Sequence, residues 1–203
     1  MIDNYTALDL GRYMEINAVL ATDEEEVDKQ VRIIAILADK TPDEVLLLPL
    51  GEYSRLAERS AFLRQSCPPV PVACGWRWEG LAPTEDFTKI NTAQYVDFQT
   101  FCKGFPATLP EILSVFLIPE GRAYNDGYDT AEVQQRVRSL PFPVALGLAA
   151  FFFERFSESI AASLNYLAWG MKHTKDKMRR KEMRARLREV QALLRSVGAG
   201  SPM

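Results

Sequence analysis

The side chains with the clearest chemical potential are the lysines and arginines near the end of the chain. Residues 172–195 contain ten Lys or Arg and three Asp or Glu, which gives this segment a net charge of +7. Residues 1–171 contain fourteen basic and twenty-four acidic side chains, a net charge of -10. Because such an asymmetry is typical of a chain that uses one part to bind a partner, we expect an acidic body followed by a basic binding segment.

The same segment carries a narrow apolar stripe. Met183, Leu187, Val190, Leu194 and Val197 follow one another at spacings of four, three, four and three residues, the seven-residue repeat of a helix packed against another helix. Residues 172–203 are thus predicted to form a basic amphipathic helix with a frayed end. The candidate partner-binding residues are Lys172, Lys175, Lys177, Arg179, Arg180, Lys181, Arg184, Leu187, Arg188, Val190 and Leu194.

Several partners would satisfy this segment. A different protein, a second copy of the chain and the chain's own acidic helices each offer the complementary charge. Nucleic acid is a further candidate, which would be bound through phosphates with a strong dependence on salt. However, residues 172–203 include no aromatic side chain on which a base could stack, and the acidic body would repel a polyanion. These features favour a protein partner or a homo-oligomer formed through the C-terminal helix.

Patterns that support catalysis or metal binding are missing from the sequence. It contains no G-x-S-x-G, H-E-x-x-H, Walker or G-x-G-x-x-G motif, and its one histidine, His173, lies in the basic segment. The carboxylate pairs, Glu85 with Asp86 and Asp126 with Asp129, fall in predicted loops or helix caps, where a structural role suffices. We therefore expect a protein without enzymatic activity and without a cofactor or metal.

The three cysteines fit the same expectation. Cys67, Cys74 and Cys102 form no C-x-x-C pair, so neither a zinc site nor a disulfide framework is predicted. We interpret them as small, partly buried hydrophobic side chains.

The element that organises the rest of the chain is predicted over residues 141–171. Phe153, Phe156 and Ile160 begin a series of apolar residues at helical spacing, and residues 144–153 contain no polar side chain. The apolar run is shorter than the roughly 20 residues that cross a bilayer, so it predicts a buried core helix and no membrane span. Residues 1–16 lack the continuous apolar segment of a secretory signal, which favours a cytosolic location.

The first third of the chain predicts four short helices within residues 9–65. Asp9 is expected to cap a helix over residues 10–20. Thr22 with Glu25 and Thr41 with Glu44 have the spacing of a capping box, which would open the second and third helices. The second helix would run through Val27, Val31, Ile34 and Leu37, and residues 51–64 would form the fourth.

The middle of the chain changes period. Within residues 70–78, large apolar or cysteine side chains fall at every second position, at Val70, Val72, Cys74, Trp76 and Trp78, which predicts a strand. Residues 87–90 could return as a second strand of a β-hairpin within residues 70–90. Helices are predicted again within residues 92–171, with caps at Asn91, Thr108 and Asp129. The predicted fold class is mainly α: a compact multi-helix bundle with one small β-hairpin and a C-terminal amphipathic basic helix.

The order of these segments resembles that of phage tail assembly chaperones. The resemblance is carried by LDLGRYMEINAVL at residues 8–20, TPDEVLLLPLGEYSRLAERSAFL at 41–63, INTAQYVDFQTF at 90–101 and FLIPEGRAYNDGYD at 116–129. It implies a non-enzymatic protein of the bacterial host cytoplasm. Such a protein binds the tape measure protein, keeps its long hydrophobic helix soluble and helps the tail protein polymerise around it.

Two alternatives remain open. The chain could be a structural component of the phage tail or baseplate, in which case it would be found in the virion and the basic segment would be an assembly contact. It could also be an accessory protein that binds nucleic acid through the basic C-terminal helix.

Overall fold

The computed structural model describes residues 1–73 and 75–173, with side chains up to Ser159. Its helices are α1 (Leu10–Leu20), α2 (Glu26–Ala38), α3 (Pro42–Leu46), α4 (Leu50–Arg59), α5 (Thr92–Cys102), α6 (Leu109–Phe116), α7 (Thr130–Arg138) and α8 (Phe142–His173), and its strands are β1 (Leu81–Pro83) and β2 (Leu117–Pro119). Shorter 3-10 helices span Tyr5–Ala7, Ser60–Arg64 and Phe87–Lys89. The mainly helical fold with one small antiparallel sheet confirms the predicted fold class. From residue 174 onward, the predicted C-terminal helix lies outside the described residues.

Local capping signals set several of these boundaries. Asp9 accepts a hydrogen bond from the Arg12 amide at 2.7 Å and so caps α1 over the predicted residues. Thr41 and Glu44 form the predicted capping box, in which the Thr41 hydroxyl accepts from the Glu44 amide and the Glu44 carboxylate accepts from the Thr41 amide. The side chain of Asn91 caps α5 by accepting a hydrogen bond from the Gln94 amide.

Two predicted helix caps, at Thr22 and at Thr108, are wrong for a common reason. The hydroxyl of Thr22 donates to the carbonyl oxygen of Val19 at the end of α1, and α2 begins after Glu25 without a side-chain cap. The hydroxyl of Thr108 donates to the carbonyl oxygen of Phe101 in α5. In both places the hydroxyl bonds to the helix before it instead of opening the helix after it.

The sheet joins segments that are distant in sequence, so the predicted hairpin strands are wrong. β1 pairs with β2 in antiparallel register, with Leu81 opposite Pro119. Within the described part of residues 70–78, the chain forms no strand and takes part in strand pairing only through an isolated bridge between Trp78 and Leu81. Residues 87–89 form a 3-10 helix. The two tryptophans stack with parallel rings at 6.4 Å, half-buried against the main core.

The α8 helix is the central element that the sequence predicts. Phe152 is 1% exposed and packs on Phe116 and Phe87, while Phe156 meets the ring of Phe98 in α5 at 4.5 Å. These aromatic side chains belong to the largest buried cluster, formed mainly by α5–α8. Within the described residues, no helix is long and apolar enough to cross a bilayer.

Residues 1–64, called the N-terminal lobe below, join α8 at its first turn. The amide of Leu10 donates to the carbonyl oxygen of Leu140, and the amide of Phe142 donates to that of Leu8, each at 2.8 Å. The ring of Phe142 also stacks on Tyr13 at 3.6 Å. Two smaller buried clusters, one around Ile34 and one around Leu37, hold the lobe together.

Candidate protein-binding surface

Besides Leu20, which is 52% exposed, four large apolar side chains of the N-terminal lobe face solvent. Val27 is 64% exposed, Leu46 64%, Leu47 85% and Leu50 80%. We refer to these four residues as the leucine surface. Because large apolar side chains that gather on a surface mark interaction sites more often than single ones do, their relative positions matter.

The three leucines are exposed because α3 is short. Only Val45 of this five-residue helix faces α2, and it is 1% exposed. Leu46 and Leu47 follow it at the end of the helix and turn away from the core. Leu50 is the first residue of α4, which begins directly after Pro49.

Contacts along α2 and α4 show that the two helices run in the same direction. The hydroxyl of Tyr53 in α4 donates to the side-chain oxygen of Gln30 in α2 at 3.3 Å. Further along α4, Arg59 donates to the carbonyl oxygen of Met1, next to Ile2, whose amide bonds to Leu37 at the end of α2.

This direction places the leucine surface at one end of the lobe. Val27 precedes Gln30 by three residues and Leu50 precedes Tyr53 by three, which is about one helical turn in each case. Both therefore lie at the end of the lobe formed by the starts of α2 and α4. The end of α3 leads into Leu50 within a few residues, so Leu46 and Leu47 lie at the same end.

A rim of carboxylates borders the leucine surface. Residues 23–26 and Asp28 at the start of α2 are acidic and exposed. Glu24 pairs with Arg32 at 2.6 Å and Glu26 with Lys29 at 3.4 Å. Asp23, Glu25 and Asp28 form no salt bridge with any residue that the structure describes. The field at this end of the lobe is therefore negative, even though the helix dipole of α2 partly offsets it.

The sequence prediction missed this surface, because it grouped Val27 with the apolar series of α2. Val27 has helical spacing to Val31, but it is exposed because the packing of α2 begins one turn later. A signal was available in the run of three leucines at 46–48 before Pro49, since a helix of five residues cannot turn all of them inward.

The predicted partner-binding residues lie almost entirely outside the described residues. Lys172 belongs to the last turn of α8, of which the structure describes the backbone. The remaining residues of the predicted set, from Lys175 to Leu194, follow the end of α8. Their role as a binding segment stays a prediction.

A groove lies between α1 and α2 of the lobe. It has a volume of about 720 Å³ and is lined by charged side chains of both signs, among them Arg12, Glu15 and Asp39. The guanidinium of Arg12 lies 3.7 Å from Asp9 and 3.6 Å from Asp39. The charge of Arg12 is therefore already balanced inside the protein.

Two titratable groups elsewhere in the body have pKa shifts opposite to that of an activated nucleophile. Burial raises the pKa of Cys102 to about 11, and burial together with the hydrogen bond to Asp97 raises the pKa of Tyr124. A nucleophile needs the opposite shift. Among the described residues, no group of three or more His, Cys, Asp or Glu side chains is arranged to hold a metal.

Comparisons of the chain with protein-family models, with curated proteins and with solved structures gave no match. A functional proposal for this chain therefore rests on its own residues and on their geometry.

Proposed function

We propose that this chain is a non-enzymatic tail assembly chaperone of a phage or prophage that binds the tape measure protein in the host cytoplasm. The observation that carries the proposal is the leucine surface. Leu46, Leu47 and Leu50 lie within residues 41–63, the segment that resembles the N-terminal part of tail assembly chaperones, and they are among the most exposed large apolar side chains described.

A chaperone for a long apolar helix needs such a surface. The apolar face of an amphipathic helix packs onto exposed leucines and is thereby removed from water. Fully burying Leu47 and Leu50 in a complex would contribute roughly 1.5 to 3 kcal/mol for each side chain. The carboxylates around them would favour client segments with basic residues beside the apolar face.

Co-expression with the tape measure protein of the same phage or prophage tests the proposal. The soluble fraction of the tape measure protein is measured with the parent chain, with the double variant Leu47→Gln, Leu50→Gln and with no chaperone. Val96→Gln is the matched control, because Val96 is 51% exposed but lies on α5, outside the N-terminal lobe.

The proposal expects a soluble complex with the parent chain and with the Val96 variant. It expects an insoluble tape measure protein with the double variant or without the chaperone. A tape measure protein that is equally soluble in all four samples would contradict the proposal. A double variant that works as well as the parent would place client binding elsewhere on the chain.

Two further measurements separate this proposal from its alternatives. Mass spectrometry should not detect the chain in purified virions. Its presence there in stoichiometric amounts would favour a structural component of the tail or baseplate. A gel shift at low and moderate salt should show no nucleic-acid binding. The gene that follows should encode a very long helical tape measure protein.

A further inference from the structure

We infer that, in the free protein, the leucine surface of one copy is covered by the apolar stripe in residues 183–197 of a second copy. The contact joins two different regions, one from each copy, and so links the copies head to tail. The inference goes beyond the proposed function, because it concerns this chain alone and requires no tail protein.

The first argument is complementarity of charge. The stripe residues are accompanied by Arg184, Arg186 and Arg188 in a segment with a net charge of +7. The leucine surface is bordered by the acidic start of α2, where Asp23, Glu25 and Asp28 form no salt bridge within the described part of the chain. Opposite charges around an apolar centre fix the orientation of a helix that docks there.

The second argument is the match of apolar groups. A seven-residue stripe needs a partner face on which its apolar side chains can pack. Val27, Leu46, Leu47 and Leu50 are exposed by 64%, 64%, 85% and 80% and lie at one end of the lobe. The leucine surface is therefore apolar at its centre and acidic at its edge, while the stripe is apolar at its centre and basic at its edge.

The length of α8 favours a second copy as the source of the stripe. α8 leaves the N-terminal lobe at Phe142 and ends at His173, about 46 Å further on at 1.5 Å for each residue. The ten residue steps from His173 to Met183 span at most about 35 Å even when fully extended. Met183 therefore cannot return to the level of Phe142 in its own copy, whereas a second copy has no such constraint.

A head-to-tail contact has a defined consequence for assembly. Because each copy keeps one unused surface and one unused stripe after the first contact, further copies can add until the series closes into a ring or extends as a filament. A client helix that binds the leucine surface would compete with this contact.

Self-association of the full chain tests the inference. The molar mass is measured by sedimentation equilibrium as a function of protein concentration, at low and at moderate salt. We expect the mass to rise with concentration and to rise less at moderate salt, because salt screens the charged rim. Association that is absent at all concentrations would overturn the inference.

Complementary variants identify the two surfaces. The surface variant is Leu47→Gln with Leu50→Gln, the stripe variant is Leu187→Gln with Leu194→Gln, and Val96→Gln is the control. Each of the first two should raise the dissociation constant at least about tenfold, while the control should match the parent. An equimolar mixture of the surface and stripe variants should form a 1:1 complex, because each retains the half that the other lacks.

Other outcomes would overturn the inference. If the surface variant associates like the parent, the stripe pairs with something other than the leucine surface. If the mixture stays monomeric while the parent associates, the two regions do not meet between copies. Far-UV circular dichroism and thermal unfolding confirm that each variant is folded, as expected because Leu47 and Leu50 are exposed.

A charge exchange gives a second test that leaves all leucines in place. Glu25→Lys with Asp28→Lys should weaken association, and Arg184→Glu with Arg188→Glu should also weaken it. Mixing these two charge variants should restore association to within about threefold of the parent. Failure of this rescue would show that the acidic rim does not face the basic segment.

Discussion

The carbonyl oxygen of Val70 occupies the position that a Cβ atom on residue 147 would take. The amide of Val70 donates to the carbonyl oxygen of Pro143 at 2.9 Å, one turn earlier in α8. The chain at Val70 therefore crosses α8 in direct backbone contact. Gly147 is the residue that permits this crossing, because any side chain there would push the segment away.

Gly147→Ala should lower the free energy of unfolding by about 1 to 3 kcal/mol, the usual cost of overpacking. In an open helical position the same change stabilises a protein by roughly 0.5 to 1 kcal/mol. Gly51 in α4 provides that control, since no atom lies within 4 Å of its would-be Cβ. Urea unfolding of both variants measures the difference, and equal signs for the two would contradict the crossing.

Gln94→Leu should lower the free energy of unfolding by about 1 to 3 kcal/mol, although it places an apolar side chain in a buried site. Gln94 is 4% exposed, and its side-chain amide donates to the carbonyl oxygen of Val115 at 2.8 Å. That carbonyl lies in the last turn of α6, where no helical amide is available to it. Thermal unfolding measures the loss, with the half-buried Gln99→Leu as a control of smaller effect.

Phe152→Ala should lower the free energy of unfolding by about 3 to 5 kcal/mol, because it leaves a cavity in the largest buried hydrophobic cluster. The centroid of its ring lies 5.1 Å from that of Phe116 and 6.3 Å from that of Phe87. Phe105→Ala serves as the comparison, since Phe105 is 39% exposed. Urea unfolding should show a clearly smaller loss for it, and equal losses would contradict the central place of Phe152.

Cys102 should react slowly with iodoacetamide in the folded protein. Burial raises its pKa to about 11, so only about 0.1% is thiolate at pH 8, against about a quarter for an unperturbed thiol. We expect alkylation to be about a hundredfold slower in the folded chain than in urea, as measured by peptide mass spectrometry. Equal rates in both states would show that the thiol is not shielded.

The stability of the protein should fall in acid partly because of Asp86. The hydroxyl of Thr88, then the ammonium of Lys89 and the amide of Thr88, lower the pKa of Asp86 to about 2. The unfolded value is about 3.9, so this contribution is complete above that pH and is lost as the pH falls toward 2.

Asp86→Asn should therefore lower stability at pH 7 and flatten its dependence on pH between about 4 and 2. Urea unfolding at several pH values measures the slope, with Asp126→Asn as a control in an exposed loop. A variant with the same slope as the parent would contradict the role of Asp86.

Local signals predicted those parts of the fold that local bonds determine. Asp9, Thr41 and Asn91 each cap the helix that directly follows them, so a few residues of sequence suffice. Thr22 and Thr108 are followed by a glutamate three residues later, as Thr41 is. Their hydroxyls nevertheless bond to the preceding helix. Only the three-dimensional course of the chain decides between these two uses.

The sequence holds no comparable signal for the contacts between distant segments. β1 and β2 are separated by 33 residues, and neither three-residue strand has a period that identifies its partner. The leucine surface depends on which side of α3 packs against α2, which the run of leucines does not specify. The crossing at Gly147 likewise depends on Val70, 77 residues earlier.

The paired hydrogen bonds between residues 8–10 and 140–142 affect the order in which a newly made chain can fold. They close a loop of about 130 residues, and such distant contacts form later than local helices. At roughly 5 to 20 residues per second, α1–α4 leave the ribosome several seconds before Phe142 does. During that interval α1 lacks its anchor on α8. A chain that stops before residue 142 would never acquire it.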